Sequence, residues 1–123
     1  MAEILVVDDE EMVRLTVRNI LQAVGHTIIE AANGVDALKI LTKQCPAIII
    51  TDILMPEKEG IETILEIRRG CRNIKIIAMS GGGRAHQMDF LNFAKQAGAD
   101  RILPKPFSGG QLITAIDELL STA

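Results

Sequence analysis

Asp8, Asp9 and Asp52 each stand at the end of a short apolar run, while Ser80 ends a later run and Lys105 follows another. Three carboxylates gathered by folding repel one another, so at neutral pH they need either a raised pKa on one member or a cation among them. Oxygen donors suit a hard ion. A site with few carboxylates, completed by water and phosphate oxygens, favours Mg²⁺ over a dedicated calcium cage, and no EF-hand loop is present. With its neighbours neutralised, Asp52 can attack phosphorus and form an acyl phosphate. A carboxylate that follows three isoleucines and a threonine is poorly placed for a merely solvated role. Lys105 would then pair with phosphoryl oxygens, and Ser80 would hydrogen-bond another, although a lone serine at a strand end is also a common turn residue. One of Asp8 and Asp9 is expected to cap the helix that follows as well.

These residues share a site only if the elements before them end on one rim. Residues 4–7 form a continuous branched apolar run, the pattern of a strand covered on both faces (β1). Val13, Val17, Ile20, Leu21 and Val24 recur at helical spacing over residues 10–24 (α1), and Gly25 supplies a stop. Residues 27–31 read as β2. Asn33 is a candidate cap for α2, through about residue 42. The most apolar strand, β3 over 47–51, leads into Asp52. A loop over 53–59 containing Pro56 precedes α3, about 60–69. Then come β4 over 74–79, a glycine loop at 81–83, α4 over about 85–97 stopped by Gly98, β5 over about 101–103, and α5 over about 109–121. Ser108 and Gln111 have capping-box spacing at the start of α5.

Five alternations of strand and helix imply parallel strands joined by right-handed crossovers, a doubly wound α/β fold with helices on both faces. A closed eight-unit barrel would need roughly twice this length. In open parallel sheets ligands bind outside the carboxyl ends of the strands, and that rule brings Asp8, Asp9, Asp52, Ser80 and Lys105 to one rim.

The bulk composition narrows the function classes. The 123 residues suit one domain, expected over 1–123 with no effector domain in the chain. The formal net charge is -3 with lysines and arginines scattered, so no basic stripe offers itself to a phosphate backbone and direct nucleic-acid binding is not expected. The 2% of aromatic residues are all Phe, which argues against base stacking. Cys45 and Cys71 lack a metal-ligand spacing and read as free thiols of a reducing compartment, although they could in principle pair. Without a leader-like start or an apolar run near ~20 residues, a cytoplasmic location without membrane insertion is expected.

Together these residues resemble the receiver domain of two-component response regulators, of which the chemotaxis switch is the familiar single-domain case. The match spans essentially the whole chain: VVDDE around Asp8 and Asp9, TDILMP with Asp52 and Pro56, Gly60, Ser80, QAGAD from Gln96, and KPF from Lys105. The resemblance implies a flavodoxin-like five-stranded parallel sheet in the order 2-1-3-4-5. It also implies that Asp52 accepts the phosphoryl group, that Asp8 and Asp9 place Mg²⁺, with Asp9 the more direct, and that the Leu54 backbone carbonyl adds a ligand. Ser80 matches the switch hydroxyl, and Lys105 the salt-bridging lysine before a proline that is typically cis. The implied partners are a histidine kinase or histidine phosphotransfer protein upstream and a protein target on the α4-β5-α5 face.

One position departs from the family pattern. Ile102 stands where a rotating Tyr or Phe is usual, so readout would rely on backbone movement and a branched aliphatic side chain. Charge-assisted bonds of ~1.5 to 3 kcal/mol from Ser80 and Lys105 would shift a two-state equilibrium by roughly 10²-fold to 10⁴-fold. Leu54, two residues after the phosphoacceptor, is expected to slow loss of the phosphoryl group.

Other readings stay open at this point. A phosphatase or phosphotransferase of external substrates usually carries a second Asp two residues after the nucleophile, where Leu54 stands, so a phosphoacceptor switch rather than a turnover enzyme is expected. Its intrinsic chemistry would be self-phosphorylation and autodephosphorylation. A flavin module would meet two acids where a phosphate loop belongs. A P-loop is excluded because Arg84 follows the glycines at 81–83. A phosphorylation-independent interaction domain and a receiver fragment of a larger transcriptional regulator are the remaining alternatives. His26 and His86 read as surface or turn residues, and Phe90 and Phe93 as core residues or a minor part of a partner face.

Overall fold

The structure is a computed structural model that describes residues 2–52, 59–80 and 98–121. Five strands, β1 (Glu3–Val7), β2 (Thr27–Ala31), β3 (Ile48–Asp52), β4 (Lys75–Ser80) and β5 (Arg101–Pro104), form one sheet in the order β2-β1-β3-β4-β5. Every neighbouring pair is parallel. The described helices are α1 (Glu11–Ala23), α2 (Gly34–Leu41), α3 (Glu59–Gly70) and α5 (Gly109–Ser121). The expected α4, the glycines at 81–83, His86, Phe90 and Phe93 lie outside the described residues, as do Leu54 and Pro56.

The side-chain period of two in a strand explains how one apolar run serves two layers. Leu5, Val7, Ile49, Ile76 and Ala78 face Ala37 of α2 and Ile64 and Ile67 of α3. The alternate residues Ile4, Val6, Ile48, Ile50, Ile77 and Met79 face Val17 and Leu21 of α1 and Leu112, Ile116 and Leu119 of α5. Burial of a branched aliphatic side chain stabilises a fold by about 1.5–3 kcal/mol, so the two layers hold the central strands firmly and fix where their carboxyl ends emerge.

Local signals act where the chain turns. Asn33 Oδ1 accepts the Asp36 N–H at 2.8 Å and caps α2. Ser108 Oγ accepts the Gln111 N–H at 3.1 Å while Gln111 Oε1 accepts the Ser108 N–H at 2.8 Å, a complete capping box. Gly25 has φ 96°, a left-handed conformation that suits glycine at a helix stop. The cap of α1 differs from expectation. Glu10 is its N-cap residue and makes no side-chain cap bond; Asp8 instead accepts the Glu10 N–H at 2.9 Å, just ahead of the helix. His26 Nδ1 accepts the Ala2 N–H at 3.1 Å, a turn role.

The expectation of two free thiols is corrected. Cys45 and Cys71 form a disulfide with Cα atoms 5.9 Å apart. The pairing of β3 with β4 is the reason: Ile48 stands opposite Lys75, and the Lys75 N–H donates to the Ala47 carbonyl at 3.1 Å, so the segments just before these two strands lie side by side. Sequence spacing, 26 residues, carries no trace of that proximity.

Candidate functional site

The parallel register brings the strand ends to one rim. Val7 is opposite Thr51, Asp52 is opposite Met79, and Ser80 is opposite Pro104. Asp8 therefore follows β1 beside the end of β3, and Lys105 follows β5 on the same side.

Asp8 is fully buried and Asp52 is 5% exposed. Lys105 reaches between them, its Nζ 3.0 Å from Asp8 Oδ2 and 3.4 Å from Asp52 Oδ2. Asp9 and Glu10 are exposed, and one carboxylate oxygen from each of Asp8, Asp9 and Glu10 lies within 4.8 Å of the others. Asp8, Asp52 and Lys105 thus meet as expected, with Asp9 at the mouth. Ser80 ends β4 on the same rim, one residue beyond the partner of Asp52. Leu54 lies outside the described residues. The Lys105–Pro106 peptide is cis, as the resemblance implies.

Burial sets the electrostatics. Desolvation pushes the Asp8 carboxyl above its ordinary 3.8; the Glu10 N–H and Lys105 oppose this, and the Asp52 charge adds to it. Burial acts to lower the Lys105 pKa, but the Asp8 hydrogen bond and the pull of both carboxylates outweigh it and leave the amine above its ordinary 10.5. The amine is therefore a fixed positive charge at neutral pH.

Glu10, Arg14 and Glu30 are parts of the site that sequence reasoning missed. Arg14 donates to the Asp8 backbone carbonyl at 2.6 Å and to Glu30 Oε1 at 3.3 Å, while Arg18 holds the other Glu30 oxygen at 2.8 Å. The Asp8 N–H donates to the Ala31 carbonyl at 3.2 Å, so both sides of this residue are tied to β2 or its salt bridge. The overlooked signal was Glu30, a carboxylate set between Ile28, Ile29 and Ala31 in β2.

The raised Asp8 pKa has a testable consequence in metal-free protein. The folded chain holds a proton on Asp8 more readily than the unfolded chain, so stability contributed by this group falls as pH rises from 3.8 through its raised value. Asp8→Asn, which removes the ionised form, is expected to raise the unfolding free energy by on the order of 1 kcal/mol at neutral pH. The advantage shrinks towards pH 4. Urea unfolding of both proteins in chelator across that range checks the sign.

A doubly wound sheet in this order, with buried carboxylates and a lysine at its carboxyl rim, defines the class: a receiver-type domain. The chain belongs to the response regulator receiver domain family of two-component systems, which it matches over residues 4–117. It is 38% identical over 124 residues to the sensor kinase CckA of Brucella abortus, a match that covers 97% of this chain and 12% of that protein. To the chemotaxis protein CheY of Bacillus subtilis it is 34% identical over 119 residues, covering 96% of this chain and 97% of that one. The crystal structure of the receiver domain of NtrX from Brucella abortus is similar with a TM-score of 0.90 at 29% identity, covering 98% of this chain and 99% of the other. Among the described residues, no helix is long and apolar enough to cross a membrane.

Proposed function

We propose that the chain is a phosphorylation switch in which Asp52 takes a phosphoryl group from a histidine kinase or a histidine phosphotransfer protein. The observation that carries this reading is the buried Asp52 carboxylate held 3.4 Å from the Lys105 amine beside an acidic cluster at the strand ends. An Asp52 oxygen forms the bond to phosphorus as the bond from phosphorus to the donor nitrogen or oxygen breaks, and that electron pair leaves with the donor. Lys105, already anchored by Asp8, then faces the new phosphoryl oxygens, and Ser80 donates its hydroxyl to one of them.

The donor set fits a hard divalent ion: it is all carboxylate oxygen, close together, with Asp8 desolvated and its neighbours in water. Asp8, Asp9 and Glu10 would hold Mg²⁺, with Asp52 and the Leu54 carbonyl as further ligands in this reading. Bound there, the ion supplies positive charge against the phosphoryl oxygens. Arg14 keeps the Asp8 peptide in place throughout.

Two surfaces support the partner assignments. An apolar groove of about 300 Å³, lined by Met12, Val13, Thr16, Val17, Pro106 and Phe107, opens beside Lys105, and Met12 is 70% exposed. A phosphodonor protein docks there in this reading, within reach of Asp52. A second groove of about 450 Å³ runs between β5 and α5 over Ile102 and Leu103, rimmed by the Arg101–Glu118 ion pair at 2.9 Å. It forms the described part of the α4-β5-α5 output face. The kinship with a segment of a sensor kinase supports the kinase partnership, and a cytoplasmic location accords with it.

A small acyl-phosphate donor with Mg²⁺ is expected to load one phosphoryl group per chain, without continuing turnover, and chelator is expected to abolish loading. Unchanged loading in chelator, or steady release of many phosphates per chain, would contradict the switch reading.

A further inference from the structure

Cys45 and Cys71 play no part in phosphoryl chemistry. Cys45 lies exposed between α2 and β3, whereas Cys71 is 4% exposed at the end of α3, packed in the layer of Ile64, Ile67, Ile74 and Ile76. Their bond encloses residues 45–71, the whole of β3, Asp52 and α3. We propose that the pair is a reversible redox modification site that takes low-molecular-weight disulfides such as oxidised glutathione. The inference goes beyond the phosphotransfer reading and borrows from it only the cytoplasmic location, where a permanent disulfide is rare.

Accessibility fixes the order of events. The exposed Cys45 thiolate attacks one sulfur of the reagent, forming a mixed disulfide and releasing one thiolate. The Cys71 thiolate then attacks Cys45 Sγ, closes the intramolecular bond and releases the second thiolate. Two electrons pass from the cysteine pair to the reagent, and the two cysteine protons end on the two released thiols. The reverse exchange reopens the bond. When reduced, Cys71 stays in its apolar layer as a small hydrophobe, so the fold persists in both states.

The link acts on stability and leaves the chemistry alone. Cys45 precedes the amino end of β3 and Asp52 stands at its carboxyl end, about 13 Å beyond Ile48 along the strand at ~3.3 Å per residue. Closing the loop restricts the unfolded chain and stabilises the segment that carries the phosphoacceptor.

The test equilibrates the purified chain in glutathione buffers from strongly reducing to strongly oxidising, then acid-quenches, tags and counts free thiols. Both thiols are expected to appear and vanish together within that range. The oxidised chain should melt about 8–12 °C above the reduced chain. Cys45→Ser should melt within about 2 °C of the reduced parent in every buffer. Asp52 loading should change less than about twofold. A bond that survives the most reducing buffer, two free thiols in the most oxidising one, or a glutathione adduct that stays on Cys45 would each overturn the proposal. Thiol counts do not depend on Asp52, so failure of the phosphotransfer reading would leave this result standing.

Discussion

Lys105→Ala is expected to lower the unfolding free energy of the metal-free chain by about 3 kcal/mol at neutral pH, the range for removing one partner of a buried ion pair. The Lys105 amine is the shared partner of a fully buried carboxylate and a nearly buried one, and its side chain is only 16% exposed. Without it, Asp8 and Asp52 face each other without that charge and their desolvation loses its offset. The loss should shrink as pH falls into the range where Asp8, pushed above its ordinary 3.8 by burial, takes up its proton, and also when Mg²⁺ is added. In the parent, the raised Lys105 pKa places the corresponding loss of stability above pH 10.5, where the amine gives up its proton. Denaturant titrations at several pH values, with and without metal, measure each part.

Arg68→Ala is expected to cost about 3–4 kcal/mol, because its guanidinium joins three parts of the chain. It donates to the Gly98 carbonyl at 2.8 Å, the Arg72 carbonyl at 3.1 Å, the Ile74 carbonyl, and Asp100 Oδ2 at 2.6 Å. Asp100 in turn accepts the Ile76 N–H at 2.8 Å, so one side chain ties the end of α3 to the start of β4 and to the entry of β5. Gly98 sits at φ +126°, and a Cβ there would meet the Arg68 side chain at 3.2 Å. Lysine has no planar fork to span these acceptors, so Arg68→Lys should recover less than half of the loss. Thermal and urea unfolding provide the comparison.

The parts of this molecule legible in the sequence were those with local causes. Strand ends announced themselves because a charged residue followed a branched apolar run, as at Asp8 and Asp52. Caps announced themselves because Asn33 and the Ser108–Gln111 pair act within three residues. The alternation of strand and helix then fixed the class, and resemblance supplied the strand order. What escaped were interactions made between distant segments. Arg14 and Glu30 are separated by 16 residues, Arg68 and Asp100 by 32, and the cysteines by 26. The QAGAD motif was visible as a likeness, yet its physical reason, the carbonyl of Gly98 and the carboxylate of Asp100 both held by Arg68, emerges only from the fold.

The most direct test of the central claim is to locate the phosphoryl group itself. After reaction with an acyl-phosphate donor and Mg²⁺, borohydride reduces an aspartyl phosphate to homoserine, which peptide mass spectrometry assigns to one position. The expected result is homoserine at position 52 alone, and loss of the hydroxylamine-sensitive adduct in Asp52→Asn. Homoserine at position 8 or 9, or an adduct undiminished in that variant, would contradict Asp52 as the phosphoacceptor.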